Sequence, residues 1–234
     1  MNRLNGAHVI AIITFLLPPS LVATIAFLAG IFSFEKLLAL MTSWPMVTFL
    51  LPFVIGVPLV VDRLLIKSRE FIRKEQFHRL KSIRTRIILF YQTCSFGSAF
   101  AAIPICYYNG FTTLETIYGS SIAVCYVFSA SVPLSVKFLQ ETDKQFKGIP
   151  IKYIPIIPVK LKTFAVNISI AVGGGALILV SLYCLLWRFE SFPELGFTTD
   201  LIFFRLLAIV SIVVVFQVIP NILMSYSNIR DIGE

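Results

Sequence analysis

Charge is scarce along these 234 residues, with Asp, Glu, Lys and Arg making up only 14% of the chain. A soluble domain cannot keep its surface hydrated on so little. With 57% hydrophobic residues and a mean hydropathy of +0.88, the chain belongs in a bilayer. Histidine is rarer still: His8 stands at the mouth of the first apolar stretch and His78 in a basic loop. No H-E-x-x-H sequence accompanies them, so neither haem ligation inside the membrane nor a zinc hydrolase has support. Cys94, Cys106, Cys125 and Cys184 all fall within apolar stretches and form no C-x-x-C pair, which leaves apolar packing as their reading and no case for a metal or redox cofactor. Gly-rich phosphate loops are missing too, since Gly173, Gly174 and Gly175 lie inside an apolar run. No acidic residue sits at the middle of a long apolar stretch, which weakens ion-coupled transport.

Long apolar runs are what the chain does have. A helix needs roughly 20 apolar residues to cross the hydrocarbon core, because each backbone N–H and C=O must be paired within the segment. Six stretches meet this, at 7–30, 43–62, 86–108, 115–136, 163–187 and 201–222. The expected fold class is therefore an all-α integral membrane protein, a six-helix transmembrane bundle. The first run follows Met1-Asn2-Arg3 and is too long for a signal peptide, so it is read as a retained helix.

Of the 20 Lys and Arg, all but Lys36, Arg188 and Arg205 fall in the N-terminus, 62–86, 137–162 or the C-terminal segment. Cytoplasmic loops keep positive charge, so both termini are expected in the cytoplasm. The same asymmetry accounts for the net charge of +8 and removes nucleic acid as the expected partner. The segment 62–86 sets Leu64, Leu65, Phe71, Ile72, Leu80 and Ile83 among cations. It reads either as a basic amphipathic helix on anionic lipid or as a plain extension of the flanking helices. "GIPIKYIPIIPVKLK", 148–162, holds too many prolines for one helix and reads as an extended connector.

Pro58, Pro133 and Pro220 each stand near the inner end of an even-numbered stretch with apolar residues following at helical spacing, which suggests one hairpin repeated three times. Small residues four apart, Gly97 with Ala101, Ser98 with Ala102 and Ala171 with Gly175, mark close helix packing or a crevice beside it. Gln92, Ser95, Asn167 and Gln217 are expected to hydrogen-bond between helices. Arg205 is a charge within a span; it is costly unless paired, and Glu190, Glu194 and Asp200 are near in sequence. The outer connections are too short to fold alone, so any stimulus must be read in the membrane or at its rim. Arg205, Glu190 and the rim aromatics Trp187 and Tyr107 are the ligand-facing candidates.

The segment "PNILMSYSNIRDIGE", 220–234, resembles the first helix of a HAMP domain, which opens on proline and closes on an Ile-x-x-Ile/Ala-x-Gly-Asp/Glu-like stretch. Pro220, Met224, Ile229, Ile232 and Gly233-Glu234 carry the match, with the Gly-Glu pair slightly early. "IPIIPVKLKTF" similarly resembles the Ile-Pro-Leu-x-x-x-Leu lead-in to the fifth helix of six-span bacterial receptors. The resemblance is thus to the six-transmembrane N-terminal sensor region of bacterial HAMP-linked receptors of the class III adenylate cyclase or methyl-accepting chemotaxis type. It implies a membrane domain at 1–222, a HAMP-like output helix at 223–234, a homodimer in the inner membrane, and an output module beyond residue 234. No catalytic residue is expected within the chain itself, so any cyclase activity would lie in that missing part. A small transporter or channel built on the proline-broken first hairpin is the alternative, and a membrane scaffold without a ligand is a third.

Overall fold

A computed structural model describes residues 6–143, 159–191 and 198–215, with side chains left out at a few of these positions. Pro220, Met224, Ile229 and Ile232 lie outside the described residues, as do Glu194, Gln217 and most of the connector at 148–162. Every element among the described residues is helical. The helices are α1 (Gly6–Leu28), α2 (Phe34–Thr42), α3 (Trp44–Leu51), α4 (Val57–Arg73), α5 (Leu80–Phe100), α6 (Ala102–Tyr108), α7 (Thr113–Asp143), α8 (Val159–Ser169), α9 (Gly175–Ser191) and α10 (Thr199–Val213). A π-helical turn, Pro52–Gly56, joins α3 to α4, and another, Ile170–Gly174, joins α8 to α9.

Four helical stretches are long and apolar enough to cross a membrane: Trp44–Arg73, Phe77–Tyr108, Thr113–Leu139 and Lys162–Glu190. They contain the second to fifth expected spans. The first expected span coincides with α1, where Thr14–Leu28 forms a shorter apolar helix. The sixth begins in α10, which is described over 15 residues.

Proline explains where these helices break. It has no N–H and its ring pushes away the carbonyl four residues earlier. Pro18 and Pro19 in α1 thereby release the carbonyls of Thr14 and Phe15, and Pro133 in α7 releases that of Ser129. Pro104 does the same to Phe100, and the long helix divides there into α5 and α6.

The bundle is organised around α7. Its apolar window is 61% buried, against 17% to 39% for the other three long stretches. α1 lies along it, α5 and α6 pack on one flank, and α8, the second π turn and α9 on another. Small residues make this possible, among them Gly119, Ala123, Ser129 and Ser131. Most of its serines bond back to their own helix: Ser120 to the Thr116 carbonyl at 2.6 Å, Ser121 to Ile117 at 2.8 Å, and Ser135 to Ser131 at 2.6 Å. Large apolar side chains such as Leu59, Leu89, Leu179, Phe203 and Phe204 point outward, as a surface bathed in lipid permits.

Segment 62–86 is a helical extension. α4 runs on to Arg73 and α5 begins at Leu80, with a short 3-10 turn, Phe77–Arg79, before it. Leu65, Leu80 and Ile83 are buried in the seam between the two helices, leaving Arg63, Lys67, Arg69 and Arg73 exposed. The connection after α1, by contrast, carries an unforeseen amphipathic helix, α2. Its Leu40 is buried while Phe34, Leu38 and Met41 are exposed on another face.

Three helices end in the same way. The amide of Ile31 reaches the Ala26 carbonyl at 3.0 Å and Gly30 reaches Phe27 at 2.9 Å; Phe111 and Gly110 repeat this on Cys106 and Tyr107, and Gln76 and Glu75 on Phe71 and Ile72. The pattern requires a left-handed residue, supplied at φ 75° by Gly30 and 73° by Gly110 but at φ 56° by Glu75.

The glycine triplet packs, but through a different residue from the one the four-residue spacing indicates. A Cβ on Gly173 would lie 2.7 Å from the Ser129 Cβ and 2.8 Å from its backbone nitrogen, whereas one on Gly175 would meet nothing within 4 Å. Ala171 is exposed. Gly173 lies within the π turn, where the four-residue spacing of an α-helix does not hold.

Gly173→Ala is therefore expected to destabilise the bundle by about 1–3 kcal/mol through overpacking, while Gly175→Ala is neutral or stabilising by up to about 1 kcal/mol. Denaturant unfolding of the detergent-solubilised protein distinguishes the two, and equal effects would refute the assigned face. Glu75→Gly should raise stability by about 0.5–1 kcal/mol by relieving its left-handed backbone, read as a higher midpoint in the same titration.

Candidate functional site

At the carboxy end of α1, the last carbonyls concentrate partial negative charge. Two arginines from other helices meet it. Arg188 on α9 donates from Nε to the Gly30 carbonyl at 2.8 Å, and Arg205 on α10 donates to that of Phe27 at 3.4 Å, its guanidinium 5.6 Å from the Phe27 ring centre. A guanidinium held on carbonyls and an aromatic face avoids the cost of a bare charge beside lipid.

The remaining rim residues belong to separate aromatic groups. Trp187 lies 5.8 Å from Tyr118, which also meets Tyr183 at 6.1 Å. Tyr107 is exposed and packs edge-on to Tyr108, itself beside Trp44 and Phe49. Glu190 is exposed.

A further ionic link was not foreseen. Lys36 on α2 pairs with Glu115 on α7 at 2.7 Å and lies 5.4 Å above the Phe111 ring, which stacks on Phe32 at 4.6 Å. Glu115 also accepts from the Thr112 amide at 2.8 Å, while the Thr112 hydroxyl accepts from the Glu115 amide at 3.3 Å. This is a capping box, signalled in the sequence by Thr-x-x-Glu ahead of an apolar run. One carboxylate thus starts α7 and ties α2 to it.

Deeper in the bundle, an apolar crevice of about 70 Å³ lies beside the proline-bearing stretch of α1. Pro18 and Pro19 form one wall, Ala99 and Ala102 a second, and Gly119 and Ala123 a third. Small residues of α5, α6 and α7 line it opposite the proline-bearing stretch of α1. Thr14 and Ser98 contribute hydroxyls to it. Ser98 and Ala102, paired by their spacing, do stand together on its wall, whereas a Cβ on Gly97 would lie 3.6 Å from the Phe53 ring.

Below the crevice the rings of Phe53, Phe15, Tyr91 and Phe138 form a row. Successive centroids lie 5.9, 6.1 and 4.5 Å apart. The Tyr91 hydroxyl bonds that of Thr14, joining α5 to α1. Gln92 donates to the Ser135 hydroxyl at 2.6 Å, an interhelical bond as expected, but Ser95 bonds the Tyr91 carbonyl of its own helix and Asn167 is exposed. All four cysteines are free thiols, and no cluster of metal-ligating side chains occurs among the described residues.

The Lys36–Glu115 pair is only partly screened from solvent, with Lys36 41% and Glu115 13% exposed. A double-mutant cycle with Lys36→Met and Glu115→Gln should give a coupling of about 0.5–1 kcal/mol that shrinks in high salt. A coupling near zero at low salt would remove the pair as a tie between α2 and α7. No protein-family model, no curated protein and no solved structure matches this chain, so its site is read from its own chemistry alone.

Proposed function

We propose that the chain is the membrane-embedded sensory input domain of a bacterial signal-transduction receptor, reading a stimulus within the bundle and relaying it through its last helix. One observation carries the reading. α1 lines the crevice with Thr14, Pro18 and Pro19 and, a few turns later, holds α10 through the Phe27 carbonyl and Arg205. A ligand that prefers one bend of α1 would bias the seat of α10, which is what a two-state relay requires. The crevice lining contains no charged side chain, which favours an apolar stimulus over an ion path.

In this reading the six apolar stretches are six spans with both termini in the cytoplasm, the membrane is the bacterial inner membrane, and residues 220–234 enter a HAMP bundle formed by a homodimer. The exposed cations of 62–86 face anionic headgroups. The output is a class III adenylate cyclase or a methyl-accepting signalling domain.

The coding sequence downstream of codon 234 provides the direct test. Continuation into the second HAMP helix and a cyclase or methyl-accepting module is expected, and a natural stop codon there would overturn the proposal.

A further inference from the structure

One serine of α7 breaks the rule that its neighbours keep. Ser120, Ser121, Ser129 and Ser135 each donate to a carbonyl of their own helix. The Ser131 hydroxyl, on a residue only 2% exposed, has no hydrogen-bond partner among the described residues. A buried hydroxyl left without a partner costs roughly 1–3 kcal/mol, so something is expected to meet it.

Ser131 lines a small pocket of about 10 Å³ together with Thr14, Ser95 and Ser98. This pocket shares Thr14, Pro18, Ser98 and Val127 with the apolar crevice, of which it is the polar end. The shape is that of a site for a molecule with a large apolar body and one small polar head.

The hydroxyls around the head specify its chemistry. Ser95 already donates to the Tyr91 carbonyl at 3.0 Å and Ser98 to the Ser95 carbonyl at 2.7 Å, so both offer only acceptor capacity. Ser131 retains its donor. An incoming hydroxyl can accept from Ser131 while donating to Ser95 or Ser98; a ketone or ether can do only the first. A carboxylate would bring a charge into a pocket with one free donor and no cation in its lining, at a large desolvation cost.

We propose that this composite cavity binds an uncharged apolar molecule ending in a single hydroxyl group, an aliphatic alcohol in chemical class, with its body in the crevice and its oxygen at Ser131. The inference rests on the sensory reading and names its ligand class. Its test measures binding rather than signalling, so either can fail without the other.

The probe is 1-decanol carrying a diazirine on its chain, photolysed with the full chain in nanodiscs and mapped by peptide mass spectrometry. Labelling is expected on peptides containing Ala99, Ala102 or Ala123. Unlabelled decanol should compete at least about 10-fold better than decane or decanoate, in line with one to two charge-free hydrogen bonds. Ser131→Ala should weaken competition by decanol about 3–10-fold and leave decane unchanged. It removes an unpaired group, so it is not expected to unfold the protein, and the melting profile checks this. Ala123→Leu, filling the crevice from the opposite wall, should suppress labelling altogether. If decanol and decane compete equally and Ser131→Ala alters neither, the small pocket holds only water and the proposal is overturned. Labelling confined to the outer lipid-facing side chains overturns it as well.

Discussion

The surrounding hydrocarbon offers no hydrogen bonds, and the rest of the fold follows from that. Every carbonyl released by a proline and every polar side chain in a span must be met by protein or by something the protein encloses. The chain places its irregular backbone accordingly. Ser129, whose carbonyl Pro133 releases, lies against Gly173 in the second π turn, and Phe15, whose carbonyl Pro19 releases, stacks on Phe53 in the first. Two breaks in helical repeat are thus set against two proline-bearing helices. The close contact at Gly173 is a consequence: only a residue without a side chain lets the two deformed backbones meet.

The same constraint orders the charges. The end of α1 concentrates negative potential where few solvent dipoles can answer it, and Arg188 and Arg205 do so from two later helices. These arginines therefore join α9 and α10 to the first helix, whatever else they contact. Lys36 and Glu115 fasten α2 to the start of α7 in the same region of the chain's topology. Apolar contact alone gives little preference for protein over lipid tails in a membrane, so such polar ties contribute more to the choice of neighbours than their modest individual strengths imply.

Hydropathy made most of the helical layout legible. The expected spans at 43–62, 86–108, 115–136 and 163–187 fall inside the four long apolar stretches, because length and apolarity are local properties that no neighbour can alter. Contact faces were not legible in the same way. The pairing of Ala171 with Gly175 assumed an unbroken α-helical repeat, and the π turn at Ile170–Gly174 breaks that repeat and puts the contact on Gly173. Glu115 announced its capping box through Thr112 but gave no sign of Lys36, 79 positions away. Ser131 looked like any other serine of a small-residue helix. Its distinction lies in a missing partner, which depends on what α1 and α5 place around it.

α1 is where these strands of argument converge. Its prolines line the crevice, its Thr14 joins the Tyr91 hydroxyl and lines the polar pocket, and its far end seats α10. Without Pro18 and Pro19 the carbonyls of Thr14 and Phe15 would regain their amide partners. Phe15 of the same helix sits between Phe53 and Tyr91, and Tyr91 stacks on Phe138 at 4.5 Å. Packed aromatic side chains have few alternative arrangements, so a displacement of α1 at Phe15 must either leave the row as it is or move it as a unit. The row thereby ties α1 to α5, α7 and the first π turn, beside a described wall of the bundle where a buried hydroxyl of α7 lacks a partner.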